Sequence, residues 1–154
     1  MTNYPKIKNV SIKDVKFGKN VEIIQPLNLY ECEIGDDCFI GPFVEIQKGV
    51  IIGNNCRIQS HTFICELVEI GSNVYIYHGV TFVNDKLKQG RPAFGDKKMW
   101  ESTLVNDNVY IGSGSVILPV KICSNVIIGA GSVVTKNIEK PGKYFGNPAK
   151  FYSD

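Results

Sequence analysis

A period of six residues runs through most of this chain. Stepping in sixes from Ile34 meets Ile40, Ile46, Ile52, Ile58, Ile64, Ile70, Ile76 and Phe82, with no break in the apolar series. Four residues after each of the first eight stand Cys38, Val44, Val50, Cys56, Thr62, Val68, Val74 and Val80, all small or β-branched. Glycine directly follows the aliphatic residue at positions 35, 41, 53 and 71. After a gap the phase returns at Val105, Ile111 and Ile117, slips by one residue, and resumes at Ile122, Ile128 and Val134. An earlier stretch, Phe17, Ile23 and Leu29, carries the same pattern one residue out of phase.

Neither an α-helix, at 3.6 residues per turn, nor a long strand, at 2.0, produces this period. Short strands joined by tight turns do. Each hexad makes one side of a prism, with a large and a small residue pointing inward and a glycine or asparagine turning the corner. Three hexads close a coil of 18 residues, and coils stack by strand pairing about 4.8 Å apart. The solenoid so formed buries a continuous column of Ile and Val, each coil touching only its neighbours. A β-sandwich of short strands does not hold a six-residue phase over so many intervals. The expected architecture is therefore an all-β parallel β-helix in a single domain, 1–154, with one long loop at 84–104 and a short tail at 138–154. Cys38 and Cys56 are 18 apart and should stack in adjacent coils, either as a redox-active pair or as two small core thiols.

Composition removes several function classes. A net charge of +2 lacks the basic excess of a nucleic-acid binder. No apolar run reaches the length of a membrane span. The segment 1–9 is polar and lysine-bearing, with no apolar stretch behind it, so no signal peptide is expected there and no other role is evident. The five cysteines contain no CxxC pair, which argues against a zinc ribbon or a dithiol redox motif. Reduced thiols in the cytoplasm are the expectation.

The hexads match [LIV]-[GAED]-x-x-[STAV]-x over about residues 15–150, and in this the chain resembles the left-handed β-helix acyltransferases. The left hand is implied by that resemblance, since strand physics alone favours right-handed crossovers. Ile128-Gly129-Ala130-Gly131-Ser132-Val133-Val134-Thr135-Lys136 resembles the final coil of CoA-dependent members, and Gly146-Asn147-Pro148-Ala149-Lys150 the tail that follows it. Ile58-Gln59-Ser60-His61-Thr62-Phe63-Ile64 and Tyr77-His78-Gly79-Val80-Thr81-Phe82-Val83-Asn84-Asp85 resemble N-acetyltransferases of nucleotide-linked amino sugars. The resemblance implies acetyl-CoA as donor and a UDP- or dTDP-linked amino-deoxy sugar as acceptor, for surface glycans. It also implies a homotrimer with sites between subunits. The side at Leu118-Pro119-Val120-Lys121-Ile122-Cys123 is one residue shorter than the family pattern, which puts cofactor contacts near it in question.

Acetyl transfer to an amine requires a neutral nucleophile, a thioester within reach, and donors for the oxyanion. Histidine titrates in the useful range. The chain has two, His61 and His78, which are 17 apart and so should lie near one edge in neighbouring coils. His78 ranks first as base or orienter, Asn84 second as the residue positioning the amine, and His61 third. The alternative for each histidine is a polar corner residue with a structural hydrogen bond, and for Asn84 a turn residue that tolerates positive φ. Asp85, Arg91 and Trp100, in or beside the loop, are candidates for contact with sugar or nucleotide. For the cofactor, Ser113, Gly114 and Gly131 offer backbone and little bulk. Lys136, Asn147 and Lys150 lie in a tail where Lys136, Lys140, Lys143 and Lys150 face only Glu139, suiting the phosphates of CoA.

A carbonic anhydrase on the same fold needs three histidines for its metal, so no metal is expected. An O-acetyltransferase of a sugar or serine hydroxyl is the nearest alternative enzyme. A non-catalytic β-helix scaffold is the alternative of another class, and it needs neither the loop nor the basic tail.

Overall fold

The computed structural model describes residues 11–154, so the segment 1–9 lies outside the described residues. Strands of two to four residues alternate with turns along this length. They form three sheets, called I, II and III here, with seven, six and eight strands. Sheet I runs from Ile12–Lys13 through Phe63–Ile64 and Thr81–Phe82 to Val133–Val134. Sheet II runs from Lys16–Phe17 to Lys121–Ile122, and sheet III from Glu22–Ile23 through Gly142–Phe145 to Lys150–Ser153. The chain visits I, II and III in turn and then climbs one coil. The result is the parallel β-helix expected from the hexads, with the left hand that the resemblance implied.

Register explains both irregularities of the repeat. Along sheet III, Phe39, Arg57, Tyr75, Tyr110 and Ile127 pair in succession, in steps of 18, 18, 35 and 17 residues. The long step is one coil plus the loop. The short step is the missing residue between Ile117 and Ile122. Leu29 and Ile34 are likewise five apart, and both short sides turn the corner between sheets I and II. Shortening one corner by a residue leaves the inward alternation of the next sides intact, so the phase slips without exposing the core.

Inside the prism the column of Ile34, Ile40, Ile46, Ile52, Ile58, Ile64, Ile70 and Ile76 is buried, continued by Phe82, Val105, Ile111 and Ile117. The buried hydroxyls find partners: Thr62 donates to the Tyr77 carbonyl at 3.1 Å and Ser115 to the Gly112 carbonyl at 2.7 Å. All five cysteines are free. Cys38 and Cys56 stack as expected and belong to the core, the Cys38 sulfur accepting the Cys56 amide at 3.4 Å. Burial pushes the Cys32 thiol up to about 11 and that of Cys65 to about 12.

Corners are made by residues that tolerate the left-handed region. Between sheets II and III these are Asn20, Asp37, Asn55, Asn73, Asn108 and Asn125, with φ from 54° to 61°. Their neighbours staple coil to coil: Asn54 Oδ1 accepts the Asp36 amide at 2.8 Å, and Asp107 Oδ1 the Ser72 amide at 2.7 Å. The loop ends slightly earlier than expected, because Thr103–Val105 already pairs with Val68–Ile70. Much of the tail is also more than an appendage. Ile138 is buried and bridges to Ile122, and Gly142–Phe145 adds to sheet III before Lys150–Ser153 turns back antiparallel. That hairpin covers an edge that would otherwise stand open.

Ile76→Ala removes a fully buried side chain from a column that collapses poorly. It should lower unfolding free energy by about 2–5 kcal/mol, read from urea denaturation.

Candidate functional site

Two corners carry the residues singled out by the sequence. At the first, where sheet III hands over to sheet I of the next coil, Ser60, His78, Ser113 and Ala130 occupy equivalent positions. The residues following them, His61, Gly79, Gly114 and Gly131, all have left-handed φ of 62° to 69°. Their amides bond one coil back: Gly79 to the Ser60 carbonyl and Gly114 to the His78 carbonyl at 2.9 Å, Gly131 to the Ser113 carbonyl at 2.8 Å. The backbone under each candidate side chain is therefore fixed.

His78 is exposed, and its Nδ1 lies 2.8 Å from Ser60 Oγ. One ring nitrogen is thus held while the side chain as a whole remains exposed. His61 stacks on Phe43, ring centroids 4.8 Å apart and planes within 16°. Above His78 the corner is bare. A Cβ on Gly114 or Gly131 would meet no atom within 4 Å, so a strip of backbone stays open there. The tail joins this edge. Gly146 donates to Ser132 Oγ at 3.1 Å and Ala149 to the Val133 carbonyl at 2.8 Å, which sets Asn147 and Lys150 at its top. The shortened side at Leu118–Cys123 belongs to another corner, so the strip is regular through Gly131.

The second corner lies between sheets I and II and bears the loop. Asn84 opens it, donating from Nδ2 to the Glu66 carbonyl at 3.3 Å, and the Glu101 amide closes it on the Asn84 carbonyl at 2.9 Å. Both carboxylate oxygens of Asp85 are engaged inside the loop, accepting the Leu87 amide at 2.9 Å and the Ala93 amide at 2.8 Å. Lys88 and then Lys86 pair with Glu101 and hold its carboxyl below the usual range. Exposed pairs of this kind contribute about 0–1 kcal/mol. Hydrogen bonds to a charged group contribute about 1.5–3 kcal/mol, so Asp85 is the stronger fastener. Arg91 sits at the exposed tip, bonded to Pro92 and Gln89. Lys136 also belongs to this corner, next to Asn137, whose Oδ1 accepts the Lys121 amide at 2.9 Å.

Beneath the loop, on the outer face of sheet I, is a cavity of about 400 Å³ lined by Tyr30, Gln47, Phe63, Glu66, Asn84 and Trp100. Asn84 and Trp100 were legible from sequence; Tyr30, Gln47 and Glu66 were not singled out. The coil length is the signal that finds them, since Glu66 is 18 residues before Asn84 and Tyr30 is 17 before Gln47. Among the described residues, no three His, Cys, Asp or Glu side chains converge as a metal site would require.

His78 and Asn84 are six residues apart, yet the strand Thr81–Phe82 separates them. They stand at opposite edges of sheet I. The cofactor candidates divide the same way, with Ser113, Gly114, Gly131, Asn147 and Lys150 on the His78 edge and Lys136 on the other.

Residues 31–66 match the bacterial transferase hexapeptide model of six repeats, and residues 103–136 match the hexapeptide repeat of succinyl-transferase. The chain therefore carries the hexapeptide repeats of bacterial transferases over both of these segments. Bifunctional protein GlmU from Thermodesulfovibrio yellowstonii is 33% identical over 150 residues. The match covers 86% of this chain but only 30% of that relative, so the hexapeptide-repeat chain spans less than a third of its length. Among solved structures, serine acetyltransferase of Neisseria gonorrhoeae is 30% identical with a TM-score of 0.56, over 70% of this chain and 39% of that one. A point mutant of AntD, an N-acyltransferase from Bacillus cereus solved with dTDP-4-amino-4,6-dideoxyglucose and coenzyme A, shares the fold. Its TM-score is 0.54 at 20% identity, over 93% of this chain and 84% of that one.

Because Asp85 ties the loop at two points, Asp85→Ala should open 86–99 to limited proteolysis while leaving the β-helix core uncut.

Proposed function

We propose that this hexapeptide-repeat chain transfers the acetyl group of acetyl-CoA to an amine on a nucleotide-linked amino-deoxy sugar, in a site completed by a second copy of itself. The observation that carries the proposal is the division of candidate residues between the two edges of sheet I. Three prisms set around a threefold axis, with sheet I inward, bring the His78 edge of each against the Asn84 edge of the next. Cyclic packing of this kind is heterologous and closes on itself. The outer face of sheet I suits it, carrying the half-buried Phe63, Val83, Val116, Leu118 and Val133. The loop suits it too, presenting the exposed Leu87 and Phe94 away from its own core.

In this arrangement the open strip at Gly114 and Gly131 receives the pantetheine arm, with Asn147 and Lys150 toward the phosphates. The cavity under the loop receives the sugar. Asn84 Oδ1 accepts from the amine and orients it for attack on the thioester. His78, held through Nδ1 by Ser60, presents its other nitrogen to take the proton. Asp85 supports the loop, and Trp100 forms a wall of the acceptor cavity. A homotrimer, a cytoplasmic setting with acetyl-CoA at hand, and a product used in surface glycans go with this reading. An N-acyltransferase on the same fold that holds a dTDP-linked amino sugar supports the acceptor class. The likeness to serine acetyltransferase favours a hydroxyl acceptor as the second reading.

Free-thiol release from acetyl-CoA, followed with UDP- and dTDP-linked 3-amino and 4-amino sugars beside serine and hydroxyl sugars, separates the two. Turnover with one amino sugar at least ~10-fold above its hydroxyl analogue, corresponding to about 1.4 kcal/mol, is the expected result. Preference for serine or a sugar hydroxyl contradicts the amine reading, and failure to bind acetyl-CoA at all returns the chain to a scaffold.

A further inference from the structure

We infer that Glu66 and the face of Trp100 form a binding position for the ammonium group of the acceptor, and that Lys97 occupies it in the free chain. The inference rests on the amine-acceptor reading above. Lys97 reaches down from the short 3-10 turn Lys97–Met99, pairs with the Glu66 carboxylate, and places its Nζ 5.5 Å from the centre of the Trp100 ring. A carboxylate on one side and an indole face on the other is the environment that selects a primary ammonium. Here the protein's own lysine fills it.

The two partners are unequally held. The Glu66 side chain is 18% exposed and belongs to the cavity wall, whereas that of Lys97 is 57% exposed and arrives from the loop on a flexible stem. Other nearby carboxylates have other tasks. Asp85 ties the loop, Glu101 pairs with Lys86 and Lys88, Glu31 pairs with Lys48, and Glu45 accepts from Gln47 at 3.0 Å. Among the described residues the movable lysine is the one cation within ion-pair distance of Glu66; Lys48, one coil away, lies in its field but pairs with Glu31. Its backbone carbonyl also accepts from Asn84, so an ammonium beside this carboxylate lies at the corner where Asn84 Oδ1 is available.

Lys97 is held here by one ion pair and an indole face from a largely exposed stem, so a substrate ammonium can exchange for it. A sugar hydroxyl in the same place gains neither the ion pair nor the cation–π contact and leaves Lys97 where it is. Glu66 and Trp100 thus discriminate amine from hydroxyl before any chemistry occurs.

Trp100 is the single tryptophan, so its emission reports on this position alone. Lys97→Ala empties the position, and the emission is titrated with glucosamine and with glucose at fixed ionic strength, without acyl donor. The expected result is saturable binding of glucosamine to Lys97→Ala at least ~10-fold tighter than glucose. Glucosamine should bind wild type more weakly, because Lys97 competes, and adding Glu66→Gln to Lys97→Ala should abolish the preference. Equal responses to the two sugars, or a preference that survives Glu66→Gln, overturns the inference. Since no acetyl-CoA is present, absent turnover in the acceptor panel bears on the transferase reading and not on this one.

Discussion

Backbone pairing between coils is the interaction on which everything else here depends. The strand within each side of the prism is mostly two or three residues long, too short to stand alone. It persists because amides and carbonyls one coil apart bond at 2.7–3.0 Å along all three sheets. That pairing requires the chain to turn sharply every six residues, and the turns require left-handed φ. Asparagine and aspartate meet this need at one corner, glycine at another, and Phe43 and His61 meet it where a ring stack helps to hold them.

The same constraint creates the candidate site. Once corners are stapled coil to coil, any side chain placed on one rises in a straight column, and a change of residue type along that column becomes a change of function. At the III–I corner the column passes from Phe43 and His61 to the glycines at 79, 114 and 131, so a polar edge gives way to an open strip of backbone. At the I–II corner the same column logic sets Lys48, Glu66 and Asn84 above one another. A loop is tolerated there because a corner can lengthen without disturbing the inward alternation, just as it can shorten between Ile117 and Ile122. Insertion and deletion share one corner for one physical reason.

Much of this was legible in the sequence. The phase from Ile34 to Phe82 specified the inward column, and the slips at Leu29 and Ile117 were visible, although not that both fall at one corner. His61 and His78 were rightly expected to share an edge. Spacing along the chain hid the distance between His78 and Asn84, because six residues cross a whole side of the prism, so equivalent positions in the repeat occupy different corners. The role of Asp85 was hidden too: a carboxylate beside a loop looks like a ligand until its two oxygens are seen to hold amides. The tail reads as a motif in sequence, whereas Ile138 and Gly142–Phe145 continue the solenoid because an exposed sheet edge needs a partner.

The central claim is that a working site needs the His78 edge of one copy and the Asn84 edge of another. Co-assembling His78→Ala with Asn84→Ala tests it directly. Each variant alone should have lost most of its acetyl-transfer rate. Mixed oligomers should recover a substantial fraction of it, because some interfaces then join an intact His78 edge to an intact Asn84 edge. Recovery no greater than the average of the two variants, with mixed assembly verified, would contradict the account and place the chemistry within a single chain.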